Sequence, residues 1–189
     1  MIFDEIPSAL GRTGKMYVCE HFDVEPDMLV IGKGLGGGVF PMAALLANDD
    51  LNVVEDKALG HYTHEKSSVG CAAALATIDC LMEDGLLDNA VTLGNSGLQQ
   101  LEALKLKHPI IHEVRGLGLF YGIDLRVDGK PASNEADSIL YHSLSNGLSY
   151  KVGGGSILTL CPPLTINNDE LTCLLYTSDA ADEGLGVDL

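Results

Sequence analysis

The chain has 189 residues, 46% of them hydrophobic, and a net charge of −16. That is apolar enough for a buried core and acidic enough to repel nucleic-acid phosphates and anionic membrane surfaces. No basic cluster exceeds two residues, no run of about 18 apolar residues offers a transmembrane helix, and the first residues lack the charged-then-apolar pattern of a signal peptide. Nucleic-acid and membrane partners are therefore not expected. The five cysteines, Cys19, Cys71, Cys80, Cys161 and Cys173, form no C-x-x-C pair. They read as free thiols of a reducing, cytoplasmic setting.

Residues 1–6 predict a buried strand ending in Asp4 and Glu5. Residues 7–15 are a loop broken by Pro7, Gly11 and Gly14, and 16–22 a short helix. Pro26 and Asp27 turn the chain into a second apolar strand, Met28 to Gly32. Lys33 follows directly, then Gly34-Leu-Gly-Gly-Gly38. Met42 to Ala47 predicts a third strand and 69–84 an alanine-rich helix. Residues 86–107 predict a long amphipathic helix with Leu93, Leu98, Leu101 and Leu104 on or near one face. Strands are expected at 110–114, 116–125 and 156–160, and a helix at 134–147, stopped by Gly147. Alternating strands and helices give an α/β class with a boundary near residue 90.

The two ends carry expectations of their own. The opening Met-Ile-Phe-Asp reads as the middle of a buried strand, so the chain is expected to be a fragment. The string from Cys173 to Glu183 matches the translation of a transposon-type sequencing adapter. Residues 173–189 are accordingly expected to be a non-native tail.

Glycines after a strand invite a phosphate reading, and Gly32-Lys-Gly-Leu-Gly-Gly37 matches G-x-G-x-x-G literally. A dinucleotide site needs a helix starting there, and Gly38, Pro41 and a strand-like run follow instead. The Walker pattern fails because Met16 follows Gly14-Lys15. The bland reading of a glycine-flanked lysine is a surface residue. Against it, Lys33 follows four apolar residues and glycine, which points to partial burial and an imine-forming amine. Asp4 also ends a predicted buried strand. Strand C-termini in an open α/β sheet converge on one crevice. There a buried carboxylate can keep a pyridine nitrogen protonated, making the ring an electron sink.

Ile2-Phe-Asp-Glu-Ile6, Gly11-Arg-Thr-Gly-Lys15, Glu20-His21, Pro26-Asp27 and Gly32-Lys-Gly-Leu-Gly-Gly-Gly38 together resemble the signature of class III pyridoxal-phosphate (PLP) aminotransferases. The resemblance runs from about residue 1 to 172. It implies a fold-type I PLP-dependent transferase: residues 1–90 as the C-terminal part of the PLP-binding large domain and 91–172 as the small C-terminal α+β domain. It implies that Lys33 is the Schiff-base lysine and proton carrier and that Asp4 pairs with the pyridine nitrogen. Thr63 falls on the threonine that bonds the cofactor phosphate of the neighbouring subunit, which implies a homodimer for the full-length protein. The implied partners are a small-molecule amino donor and an oxo-acid acceptor.

This chain departs from the family pattern at three places. Glu65-Lys66 replaces a Gly-Gly pair, and Pro7 stands where a glutamine often lies near the ring hydroxyl. Thr159 occupies the place of an arginine that grips the α-carboxylate in glutamate-using members. Arg115 is typical of the family and reads as structural. His61, His64 and Glu65 fit no H-E-x-x-H spacing, so no metal is expected. The leading expectation is an aminotransferase acting between an amine or ω-amino acid and an oxo acid, the fragment alone being inactive. The rival expectations are a PLP-dependent ammonia-lyase or epimerase of the same family, and a non-catalytic fragment.

Overall fold

The computed structural model describes residues 1–54, 57, 60 and 66–184, with side chains to residue 176. The chain forms two compact units, one of residues 1–11 and 15–87, the other of residues 12–14 and 88–189.

The first unit holds a three-stranded sheet: β1 (Ile2–Asp4), β2 (Met28–Ile31) and β3 (Ala44–Ala47). β1 and β2 run parallel with Ile2 opposite Met28 and Asp4 opposite Val30, and β3 pairs antiparallel on the other side of β2. Central β2 buries Leu29 and Ile31 on one face by the two-residue alternation of a strand. Short 3-10 turns cover Val18–His21, Lys33–Gly36 and Asp49–Leu51. Helix α1 (Ser68–Glu83) follows, its N-terminus capped by the Ser67 hydroxyl, which accepts from the Gly70 N–H at 3.3 Å. α1 packs against the Lys33–Gly36 turn. Gly37 makes the close approach there: it is left-handed, and a Cβ on it would lie 2.8 Å from Thr77 Oγ1.

The second unit contains most of α2 (Leu86–Lys107), followed by β4 (Ile111–Gly116), β5 (Tyr121–Val127), β6 (Lys130–Pro131), α3 (Ser133–Ser145), β7 (Lys151–Gly153), β8 (Ile157–Leu160) and α4 (Asn168–Gly184). Its antiparallel sheet has the order β4-β5-β8-β7, with β6 folded back on β5 through a tight turn. Asp128 and Gly129 both have positive φ there, as a two-residue hairpin requires. Leu93 and Leu101 of α2, Tyr121, Ile123 and Leu125 of β5, Ile139 of α3, Leu158 and Leu160 of β8, and Leu171 and Leu175 of α4 form one core. Leu98 and Leu104 pack at its edge, so the four leucines expected to share a face do so. Residues 173–184 continue α4 without a break.

The strand expected at 116–125 is divided. Residues 117–120 form a turn, with the Leu117 N–H donating to Phe120 O at 3.1 Å and Gly118 at φ +55°. A Cβ on Gly118 would fall 2.6 Å from the Thr13 carbonyl carbon, and the Leu119 N–H donates to Arg12 O at 3.0 Å. Residues 12–14 therefore dock on this turn and fix where β4 ends. The Arg12 side chain donates to the carbonyls of Pro162 and Leu119. Burial draws its pKa below the ordinary arginine value, with Cys161 opposing. β6 and β7, of two and three residues, show no apolar alternation and were not expected from the sequence.

Tyr121 lies inside this core at 1% exposure, its hydroxyl 3.3 Å from the carbonyl oxygens of Leu93 and Gly94. Burial pushes its pKa up to about 12. The raised value gives a sign: the contribution is fully present below the unfolded tyrosine pKa of about 10 and is lost as pH rises through about 12. Stability should fall by up to about 2 kcal/mol across that window. Tyr121→Phe should flatten this slope in urea titrations at stepped pH; an unchanged slope would assign the alkaline loss to other groups.

Candidate functional site

The C-terminal ends of β1 and β2 bring Asp4 and Lys33 to one edge of the first unit's sheet. Asp4 stands opposite Val30, and the Glu5 N–H extends the ladder by donating to Val30 O at 2.9 Å. Lys33 lies three residues beyond Val30, after the strand has given way to the 3-10 turn. Its Nζ has no hydrogen bond or ion pair among the described residues. Asp4 Oδ1 accepts the Ile6 N–H at 3.1 Å, and Oδ2 has no partner among the described residues. A primary amine and a half-satisfied carboxylate, both without further partners among the described residues, thus lie just beyond β2 and at the end of its parallel neighbour β1. Gly32 and Gly34 flank Lys33 in the chain.

Two expectations are corrected here. Asp4 and Lys33 are exposed, where the sequence predicted a buried carboxylate and a semi-buried amine. The reason is the place of β1: among the described residues it has one strand neighbour, β2, and both Ile2 and Asp4 are exposed on it. Apolar composition predicts burial, but only a second neighbour delivers it. Lys33 is exposed because it begins the turn rather than ending the strand.

Lys33 also has φ +47°, the left-handed region that a β-carbon disfavours. Holding a non-glycine residue there costs about 1–2 kcal/mol. The turn it opens is four residues long, too short for a helix dipole to hold a pyrophosphate, in keeping with the rejected dinucleotide reading.

Glu5 is the group the sequence reading passed over. It is 5% exposed and carries no cation partner among the described residues. Its Oε2 accepts the Val18 N–H at 2.6 Å and its Oε1 the Cys19 N–H at 2.8 Å. The available signal was its place directly after Asp4, which strand alternation sends to the opposite face.

Thr63 lies outside the described residues, as do His61, His64 and Glu65. Lys66, beside them, has φ +61° where the family pattern has glycine. Exposed Pro7 lies within the turn after β1. Thr159 is half-buried in the middle of β8, opposite Gly122 and Lys151. Arg115 is exposed and pairs with Glu113 of its own strand at 3.0 Å, a surface contact of little energetic weight.

The family model for "Aminotransferase class-III" matches residues 1–178. The chain is 42% identical over 184 residues to an (R)-1-hydroxy-2-aminoethylphosphonate ammonia-lyase of Vibrio splendidus, covering 96% of this chain and 38% of that protein. It is 36% identical over 170 residues to an ornithine aminotransferase of Geobacillus sp., covering 90% and 40%. Among solved structures, acetylornithine aminotransferase from Elizabethkingia anophelis superposes with a TM-score of 0.89 at 33% identity, over 97% of this chain and 47% of the other. A PMP-bound aminotransferase from Vibrio fluvialis superposes at 0.91 with 26% identity, covering 99% and 44%. The chain thus spans about two fifths of the length of these curated relatives.

Proposed function

The chain belongs to the class III aminotransferase family, a family of PLP-dependent enzymes of fold-type I, and we propose that it carries Lys33 and Asp4 as the two cofactor-facing groups of an aminotransferase. The proposed reaction moves an amino group between an amine or ω-amino acid and an oxo acid. The observation that supports it most is the pairing just described: an amine with no partner among the described residues, just beyond β2, and a carboxylate with one oxygen free among them, at the end of the parallel neighbour β1.

When bound, PLP supplies an electron sink for the electron pair of the carbon that loses its proton. The residues of this chain would contribute the following roles. Lys33 Nζ would hold the cofactor covalently at rest and, once the substrate amine has displaced it, would be free as the amine that carries the proton between the substrate carbon bearing nitrogen and C4′. The Asp4 oxygen not engaged by Ile6 would accept the N–H of the pyridine ring and keep that nitrogen positive. Thr63 contributes a hydroxyl to the cofactor phosphate of a neighbouring subunit. A cytoplasmic homodimer, residues 1–90 and 91–172 as parts of a large and a small domain, and a non-native tail from Cys173 belong to the same proposal.

One observation favours a second reading. The relative at 42% identity is an ammonia-lyase whose named substrate carries an amine and a phosphonate but no carboxylate. A substrate of that kind has no use for a carboxylate-gripping arginine, and Thr159 stands at that position. A single-turnover experiment on the full-length gene product separates the two. With amino donor alone, an aminotransferase stops after one oxo product per site, its cofactor left in the amine form. Repeated ammonia release without an oxo acid would instead establish the lyase.

A further inference from the structure

We propose that Glu5 is the positioning residue for Asp4, acting by clamping the end of β1 onto the turn at Val18–His21. The inference rests on the reading of Asp4 as the ring-nitrogen partner. Every polar atom of Glu5 is engaged. Its N–H donates to Val30 O at 2.9 Å, and its carbonyl accepts from Ser8 at 3.0 Å and Ala9 at 2.9 Å. Its two carboxylate oxygens take the Val18 and Cys19 N–H groups, the first two donors of the 3-10 turn. Four segments thus converge on one residue: β2, the turn after β1, the 18–19 backbone and β1 itself. Asp4 precedes Glu5 directly, on the opposite face of the strand, and its carboxylate is tied to the N–H of Ile6, which follows Glu5 directly. The peptide that orients Asp4 is therefore fixed at its centre by the Glu5 side chain.

The charge is part of the device. Two N–H donors converge on the Glu5 carboxylate, which has no cation partner among the described residues, a pattern that a carboxylate satisfies through both oxygens. A glutamine of the same shape offers one acceptor and turns an N–H₂ donor toward the other backbone N–H. Glu5→Gln therefore keeps the size and loses half the clamp.

The test uses the full chain and ring-¹⁵N-labelled PLP. In Glu5→Gln, hydrogen exchange at Val18 or Cys19 should accelerate. Exchange at Ile6, which reports on the Asp4 carboxylate, should accelerate at least tenfold. The ¹⁵N signal of the bound ring should move toward the unprotonated form. Glu20→Gln is the control, because Glu20 caps the same turn by accepting the Tyr17 N–H at 2.7 Å and has no hydrogen bond to β1 among the described residues; it should leave Ile6 and the ring signal unchanged. Should Glu5→Gln fail to fold, Val18→Pro removes one donor at a first-turn position that accepts proline after the extended Tyr17, and should accelerate Ile6 in the same direction. Faster exchange at Val18 and Cys19 with Ile6 and the ring signal unmoved would make Glu5 a cap only and overturn the proposal. If the parent chain takes no PLP at Lys33, the functional reading fails instead, while the Ile6 arm still decides the clamp.

Discussion

Replacing Lys33 with alanine is expected to abolish covalent capture of PLP. Incubated with PLP and reduced with borohydride, the parent chain should gain one pyridoxyl phosphate group, located at Lys33 by peptide mass mapping. Lys33→Ala should show none at that position, and Lys33→Arg should behave alike, since a guanidinium stays protonated and does not form an imine. In the full-length gene product the loss of the proton carrier should lower turnover by a factor of about 10³ or more. A reducible adduct of undiminished yield in Lys33→Ala would remove the central assignment. The same position yields a second readout in the absence of cofactor. Because Lys33 sits at φ +47°, Lys33→Gly should be more stable to urea than Lys33→Ala by about 1 kcal/mol. Equal midpoints would mean that the backbone there relaxes when the lysine side chain is lost.

Gly94→Ala should be the most damaging small substitution in the second unit. Gly94 lies on the buried face of α2, and an added Cβ would fall 2.5 Å from both the carbonyl carbon and the oxygen of Gly118. Both are backbone atoms of a turn already held by residues 12–14, so no flexible side chain can swing away. Relief requires moving a helix or the β4–β5 turn. A loss of about 3 kcal/mol is expected, at the upper end of the usual overpacking cost. Asn95→Ala, one residue along and exposed, should stay within about 0.5 kcal/mol of the parent. Urea unfolding followed by near-ultraviolet circular dichroism compares the two, and similar midpoints would show that α2 and the turn separate more easily than their contact implies.

Gly94 also shows where sequence reading stops. A glycine inside an amphipathic helix reads as a weak point of about 1 kcal/mol against alanine. The fold reverses that sign, because the backbone of a turn some two dozen residues later needs the space. The β4–β5 boundary has the same origin. Gly116-Leu-Gly-Leu-Phe carries strand-like residues, and it turns because Arg12 and Thr13 occupy the space against Gly118. Local pattern carries no record of a contact made across a hundred positions. α2 was legible because its apolar period repeats over many residues, as Leu93, Leu98, Leu101 and Leu104 do, whereas α4 was not expected from the sequence. β6 and β7 are too short to display any period.

The amino-acid sequence by itself determined which groups this chain holds: an amine at Lys33 after an apolar strand, a carboxylate at Asp4 ending another, and glycines on both sides of the lysine. These follow from residue identity and spacing, which the sequence contains outright. Only the tertiary structure decided that the two strands are parallel neighbours, that β1 has one strand neighbour and leaves Asp4 exposed, that Lys33 is held left-handed, and that Glu5 clamps the peptide orienting Asp4. Each of these depends on which segment sits beside which. That is settled by hydrogen bonds and close packing between residues far apart in the chain, such as Glu5 with Val18, Cys19 and Val30.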